Sequence, residues 1–258
     1  MRASAIASGM STRYFRLFFV LSAIAMAAPV FSQTGEYRPP PTGPTPRTTD
    51  GKPDLSGVWD PPYVPDMTKT AKNQKGPGDL PFTEWGASEW RNYHAEEGDY
   101  TGACLPTGFV RGINSPMPLQ IMQSPKYVTF LFEWDNWFHI VPVDGRGHRN
   151  QDPTWAGDSI GRWDGDTLVV DTVNLNGKTK LDTVGHPLSD QLHVIQRFTR
   201  IDLGHIAYEI TIDDPKTYTK PWKSSRTFTL RPDWEIMEYS CMENNKSLWE
   251  GRIKPPKY

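Results

Sequence analysis

From Lys126 onward, short stretches in which apolar and polar residues alternate are separated by clusters of Gly, Pro, Asn and Asp. A period of two puts successive side chains on opposite faces of an extended strand and does not fit the 3.6-residue repeat of a helix. The pattern predicts strands over Lys126 to Glu133, Trp137 to Val143, Thr167 to Val173, Leu192 to Ile201, Ala207 to Asp213, Ser225 to Leu230 and Glu235 to Cys241. Asp144-Gly145, Asp164-Gly165, Asn176-Gly177 and Leu203-Gly204 stand where tight hairpin turns are expected, and Asp-Gly and Asn-Gly are strong hairpin signals. The expectation is an all-β, antiparallel up-and-down meander. Closing such a sheet removes its edges, and about 8–10 strands make a barrel whose interior is filled by side chains or by one small ligand. One short helix is expected over about Thr83 to Glu96, capped by Thr83 and carrying Trp85, Trp90 and Tyr93 on one side, as a lid or end plug.

The N-terminus bears on location. Arg13 and Arg16 precede an apolar run from Leu17 to Ala28, and Val30-Phe31-Ser32 suits cleavage before Gln33. The run is shorter than the roughly 20 residues of a spanning helix, so residues 1–32 are expected to be a removed signal peptide. The protein is then periplasmic or secreted, without stable membrane insertion. Residues 33–50 are rich in proline and poor in aliphatic side chains, as in an extended leader. Residues 51–258 are expected to form one domain.

Three of the 28 basic residues are arginines in the expected signal peptide, where no acid lies, so the chain after Ser32 carries 25 basic against 30 acidic residues. That balance offers neither the basic stripe of a nucleic-acid surface nor electrostatic membrane binding, and points to an uncharged partner. Ten tryptophans, ten tyrosines and eleven phenylalanines suit an apolar or aromatic cavity, or an ordinary barrel core. Nothing in the sequence sets an oligomeric state. Cys104 and Cys241 are the two cysteines; an even count in an oxidising compartment predicts one disulfide between them.

The candidate acid-base residues cluster in two regions. His186, Ser189, Asp190 and His193 form the densest group, in which His186 or His193 with Asp190 would make a general acid/base pair. Strand parity sets Glu133 beside Leu131, and Asp171 beside Thr167 and Val169, so either carboxylate can be half-buried and raised toward useful pKa values, or can anchor an arginine. Trp137, His139, Arg146, His148 and Trp155 are the candidate ligand-binding side chains. The spacing of His186 and His193 matches no zinc signature, and no metal is expected. Gly157-Asp158-Ser159-Ile160-Gly161 matches Gly-x-Ser-x-Gly, but no helix follows the serine, and the segment suits a glycine-flanked turn before a hairpin better than a nucleophile elbow. Phosphate-cradling, dinucleotide-binding and His-Glu-x-x-His motifs are all missing from the sequence.

Asp54-Leu55-Ser56-Gly57-Val58-Trp59 resembles the start of a lipocalin-type barrel, in which Gly-x-Trp opens the first strand and the tryptophan plugs the base. A second Gly-x-Trp, Gly161-Arg162-Trp163, leads into another hairpin. Over almost the whole chain after Ser32, a longer series resembles a large group of uncharacterised exported bacterial proteins. It comprises Asp50-Gly51-Lys52-Pro53-Asp54-Leu55-Ser56-Gly57-Val58-Trp59, Asp144-Gly145-Arg146, Gly157 to Trp163, Gly165 to Thr172 and Gly185-His186-Pro187. In that group a His is usual where this chain has Asp158, and an Arg where it has His139. The resemblance implies export and a single domain and transfers no catalytic residue. Two functions fit the sequence. One is a cofactor-independent enzyme that holds a hydrophobic or aromatic small molecule and moves protons on it, of lyase, isomerase, hydrolase or ether-cleaving type; the other is a non-catalytic carrier of such a molecule.

Overall fold

In β8 (His193–Arg200), β9 (His205–Asp213) and β10 (Trp222–Leu230), every second side chain is buried, as alternation requires of strands with one face on a core. These join β1 (Gly57–Asp60), β3 (Leu119–Gln123), β4 (Tyr127–Phe132), β5 (Phe138–Pro142), β6 (Asp158–Asp164) and β7 (Thr167–Val173), while the short β2 (Gln74–Lys75) pairs with β10 off the main path. The computed structural model describes residues 38–94 and 100–253; the expected signal peptide lies outside them. Among the described residues no helix is long and apolar enough to cross a membrane.

The strand order is β5-β4-β3-β1-β10-β9-β8-β7-β6, with every neighbouring pair antiparallel. The result is a nearly closed nine-strand barrel, the all-β lipocalin-like architecture expected from the sequence. An odd number of alternating strands brings β5 and β6 together at the seam in parallel. A parallel pair cannot be joined by a tight turn and needs a crossover of a dozen or more residues; residues 143–157 supply it. Asp144-Gly145 therefore opens this crossover rather than a hairpin. Asp164-Gly165 does turn β6 into β7, and Leu203-Gly204 lies between β8 and β9, whereas Asn176-Gly177 falls in the long β7–β8 loop.

The aromatic residues mostly fill the barrel. Phe109 packs on Phe130, Phe130 on Phe198, Phe198 on Tyr208 and Tyr208 on Phe228, with ring centroids 5.0–5.2 Å apart. Phe109 comes from α2 (Gly108–Gly112), a short helix all of whose residues are buried. Trp59 is fully buried, its indole donating to Leu55 O at 2.9 Å while the Arg200 guanidinium lies over its ring. A side chain at Gly57 would meet Leu230 Cδ1 at 2.7 Å, so the first Gly-x-Trp lets β1 approach β10 closely. Helix α1 (Glu84–Arg91) begins as expected, Thr83 Oγ1 accepting from Gly86 N at 3.0 Å, and ends before Glu96.

One expected strand needs correction. Glu235 to Cys241 forms no strand; side chains of the β4–β5 turn hold it by the backbone, Glu133 accepting from Met237 N and Asn136 bonding Tyr239 N and O. Residues 40–50 pack on the barrel, where Thr45 Oγ1 donates to Arg200 O and Arg47 pairs with Asp166 at 2.6 Å. Cys104 and Cys241 are disulfide-bonded, with Cα atoms 5.5 Å apart, so this final segment is also tied covalently. α3 (Lys246–Trp249) follows.

Candidate active site at the barrel seam

The two glycines flanking Ser159 explain how the seam is built. At Gly161 a Cβ would meet Val143 Cγ1 at 2.7 Å and Val141 Cγ1 at 2.9 Å, so its bare backbone lets β5 approach β6. At Gly157, with φ +74°, a Cβ would lie 2.5 Å from Val173 O. Asp158 to Gly161 thus open strand β6 instead of forming the expected glycine-flanked turn, and the glycines serve backbone approach.

Where β5 and β6 begin, the seam widens into a cleft of about 530 Å³ with the crossover as its far wall. Trp137, His139, Arg146 and Trp155, four of the five ligand-binding candidates, line this one cleft together with Arg149 and Ser159. Phe138, Ile140 and Tyr127 add exposed apolar surface along the rim. The buried Trp137 indole N–H has no acceptor among the described residues. Arg146 folds back on Asp144, holding that carboxyl down at about 2, and also donates to the Tyr127 hydroxyl at 3.3 Å.

At the base of the cleft His139 Nε2 lies 2.7 Å from Ser159 Oγ, which is 2.7 Å from Thr172 Oγ1. All three side chains are buried, and the imidazole stacks on Phe109 with centroids 4.1 Å apart. Burial pushes the His139 pKa down to about 4, against the opposing pull of Asp158, so the ring is neutral at neutral pH and either shares its one N–H with Ser159 or accepts the serine proton.

A second network lies on the outer face, because Asp158 and Asp171 have the opposite parity to Ser159 and Thr172. Asp158 accepts from Arg149 N and Nε at 2.8 and 2.7 Å and lies 3.0 Å from His148 Nδ1. Burial opposes its charge, yet the backbone N–H and guanidinium of Arg149, with the His148 ring, hold its carboxyl below the usual range. His148 Nε2 and His193 Nε2 in turn both reach Asp171 Oδ1, at 3.2 and 2.9 Å. The network staples the crossover onto β6 and β7, fixing the wall that carries Arg149 and Trp155. Among the described residues neither Glu133 nor Asp171 pairs with an arginine.

The remaining candidates are elsewhere. Asp190 is exposed and 3.4 Å from Lys216 Nζ, so the expected pairing with His186 or His193 is not formed. His186 is buried against the Trp90 ring at 4.2 Å, its Nδ1 2.6 Å from Asp182 Oδ2. With Asp66 these two make the one group of metal-ligand type among the described residues. Asp182, however, already accepts from Met67 N, Gly185 N and His186 N as well as facing the ring, which is the pattern of a carboxylate ordering loops. A second, more polar groove of about 640 Å³ lies between β2 and the outer face of β8–β10.

No family model matches this chain, and no curated protein is significantly similar to it.

Proposed function

We propose that this protein binds an aromatic small molecule carrying an oxygen acceptor in the seam cleft and acts on it by cofactor-independent acid/base chemistry, of lyase, isomerase or ether-cleaving type. The observation that carries the reading is the His139–Ser159 pair at the base of a cleft walled by Trp137, Trp155, Arg146 and Arg149. The aromatic walls suit a flat apolar body. The indole N–H of Trp137 and the guanidinium groups are donors for an oxygen on it. His139, neutral at working pH, takes a proton through Ser159 Oγ and returns it at the end of the cycle, with Thr172 Oγ1 holding the serine rotor. The expected export places this chemistry outside the cytoplasm.

A carrier uses the same cleft without turnover, and the burial of His139 between Phe109 and Ser159 favours that second reading. The test starts with native mass spectrometry of protein taken from its own periplasm, to identify any retained molecule. Binding and turnover of that molecule, or of acetophenone, anisole and phenyl ethers, are then measured in wild type and His139→Gln. The enzyme reading expects kcat to fall by about 10²–10⁴ with binding changed little. Binding without turnover in either protein leaves the carrier; binding to neither overturns both.

A further inference from the structure

The barrel interior contains a cation that the seam chemistry does not use. Arg226 is one of the inward residues of β10, 97% buried. Its Nη1 donates to Asn114 Oδ1, and its guanidinium lies over the Tyr208 ring at 5.0 Å. Nε and Nη2 have no hydrogen-bond partner among the described residues. Those two N–H groups form the side-on fork of a guanidinium, parallel donors matched to the two oxygens of a carboxylate. A buried charge without such a partner is strongly destabilising. Asp182, a carboxylate whose charge Arg226 feels, already receives donors from Met67, Gly185 and His186.

Neighbouring inward positions show the same deficit. Ser224 Oγ, one inward step away on β10, and Gln196 Oε1, on β8, are also buried without partners among the described residues. The two residues share a rung, since Gln196 and Ser224 both stand opposite Ile210 of β9. Gln196 is oriented by its amide, which donates to the Tyr208 hydroxyl at 2.9 Å, and Tyr208 lies under Arg226. Trp222 Nε1, further along the same face, is a third unpartnered buried donor.

We propose that the barrel interior is a binding site for one small carboxylate, held side-on by Arg226 Nε and Nη2, with the Ser224 hydroxyl as a further donor and Gln196 Oε1 as the acceptor for a hydroxyl on the same molecule. The site is separate from the seam cleft, and its chemical class is that of formate, acetate or a small hydroxy acid. Burial pulls the Arg226 pKa down to about 10, which leaves the guanidinium charged at neutral pH and in need of a counter-ion.

The test denatures purified full-length protein, quantifies the anions released by ion chromatography, and follows thermal unfolding in sodium formate, acetate, lactate, phosphate and chloride at fixed ionic strength. The expected results are close to one carboxylate released per chain and a Tm that rises with carboxylate concentration but not with chloride, by mass action on the folded state. Arg226→Met removes that response while leaving a folded barrel, since an apolar side chain of similar length replaces a buried charge. If that variant does not fold, Ser224→Ala, which keeps the charge, is expected to need about tenfold more acetate for the same stabilisation. Release of no carboxylate, with equal responses to acetate and chloride, overturns the site and assigns ordered water to these groups. A response to phosphate alone overturns the carboxylate class.

Discussion

At the scale of single residues, the sharpest consequence concerns His139. Its unfolded value near 6.5 lies above the folded value of about 4, so between those two pH values the unfolded chain binds more protons. The contribution of the neutral buried ring is therefore fully present above about pH 6.5 and is lost as the pH falls toward 4, by about 3 kcal/mol in total. Urea unfolding at pH 7.5 and 4.5 should show wild type losing more stability than His139→Gln over this interval; equal losses would mean that the ring is hydrated or already charged. The residue types of the cleft are legible in the sequence: of its five ligand-binding candidates Trp137, His139, Arg146 and Trp155 converge, while His148 joins the outer network. Ser159 sits in a segment that matches the elbow motif but continues as strand β6 with no helix. Its pairing with His139 depends on strands β5 and β6 meeting at the seam, and nothing local in the sequence encodes that. The same limit explains Asp190. Proximity in sequence suggested a pair with His186 or His193, whereas the chain turns Asp190 outward to Lys216 and gives those histidines Asp182 and Asp171.

Among the elements, the β5–β6 crossover decides where the site lies. Alternation defined β7 to the residue and most of β4, β5, β8, β9 and β10 to within a few, because each buries one face. It missed β2, β3 and β6, reading the start of β6 as a turn, and it placed a strand at Glu235 to Cys241 where the backbone is instead bound by side chains of the β4–β5 turn. Gly161→Val tests the seam: the new side chain enters space held by Val141 and Val143, and overpacking of this kind costs about 1–3 kcal/mol. The variant should unfold at lower urea and bind aromatic probes more weakly, while Gly165→Val, facing open space at the β6–β7 turn with φ +59°, loses stability through backbone strain and keeps its probe affinity. Equal affinity losses in both would argue that the seam does not shape the cleft. On the outer face, Asp158→Asn removes the charge that holds Arg149 and His148. It is expected to loosen the crossover, seen as faster amide exchange at Arg149.

For the whole molecule, a barrel whose aromatic residues mostly form the core has the cleft that suits an aromatic ligand at the seam. The aromatic content alone could not distinguish a filled barrel from a hollow one, since both need the same residues; the inward helix α2 sets Phe109 against Phe130, Phe132 and His139 and fills that part of the interior. The Cys104–Cys241 bond ties the last segment across a sequence separation of 137 residues. Thiol-blocking of unreduced protein should label neither cysteine, and replacing both with serine should lower stability by about 2–5 kcal/mol in urea unfolding, with the β-sheet circular dichroism retained. The most direct measurement of the central claim is an NMR titration of protein labelled at tryptophan and histidine side chains with acetophenone and anisole. Joint shifts at Trp137, Trp155 and His139, with Trp90 and His186 unchanged, are the predicted result; shifts confined to Trp90 and His186, or none with either probe, would contradict a binding site at the seam.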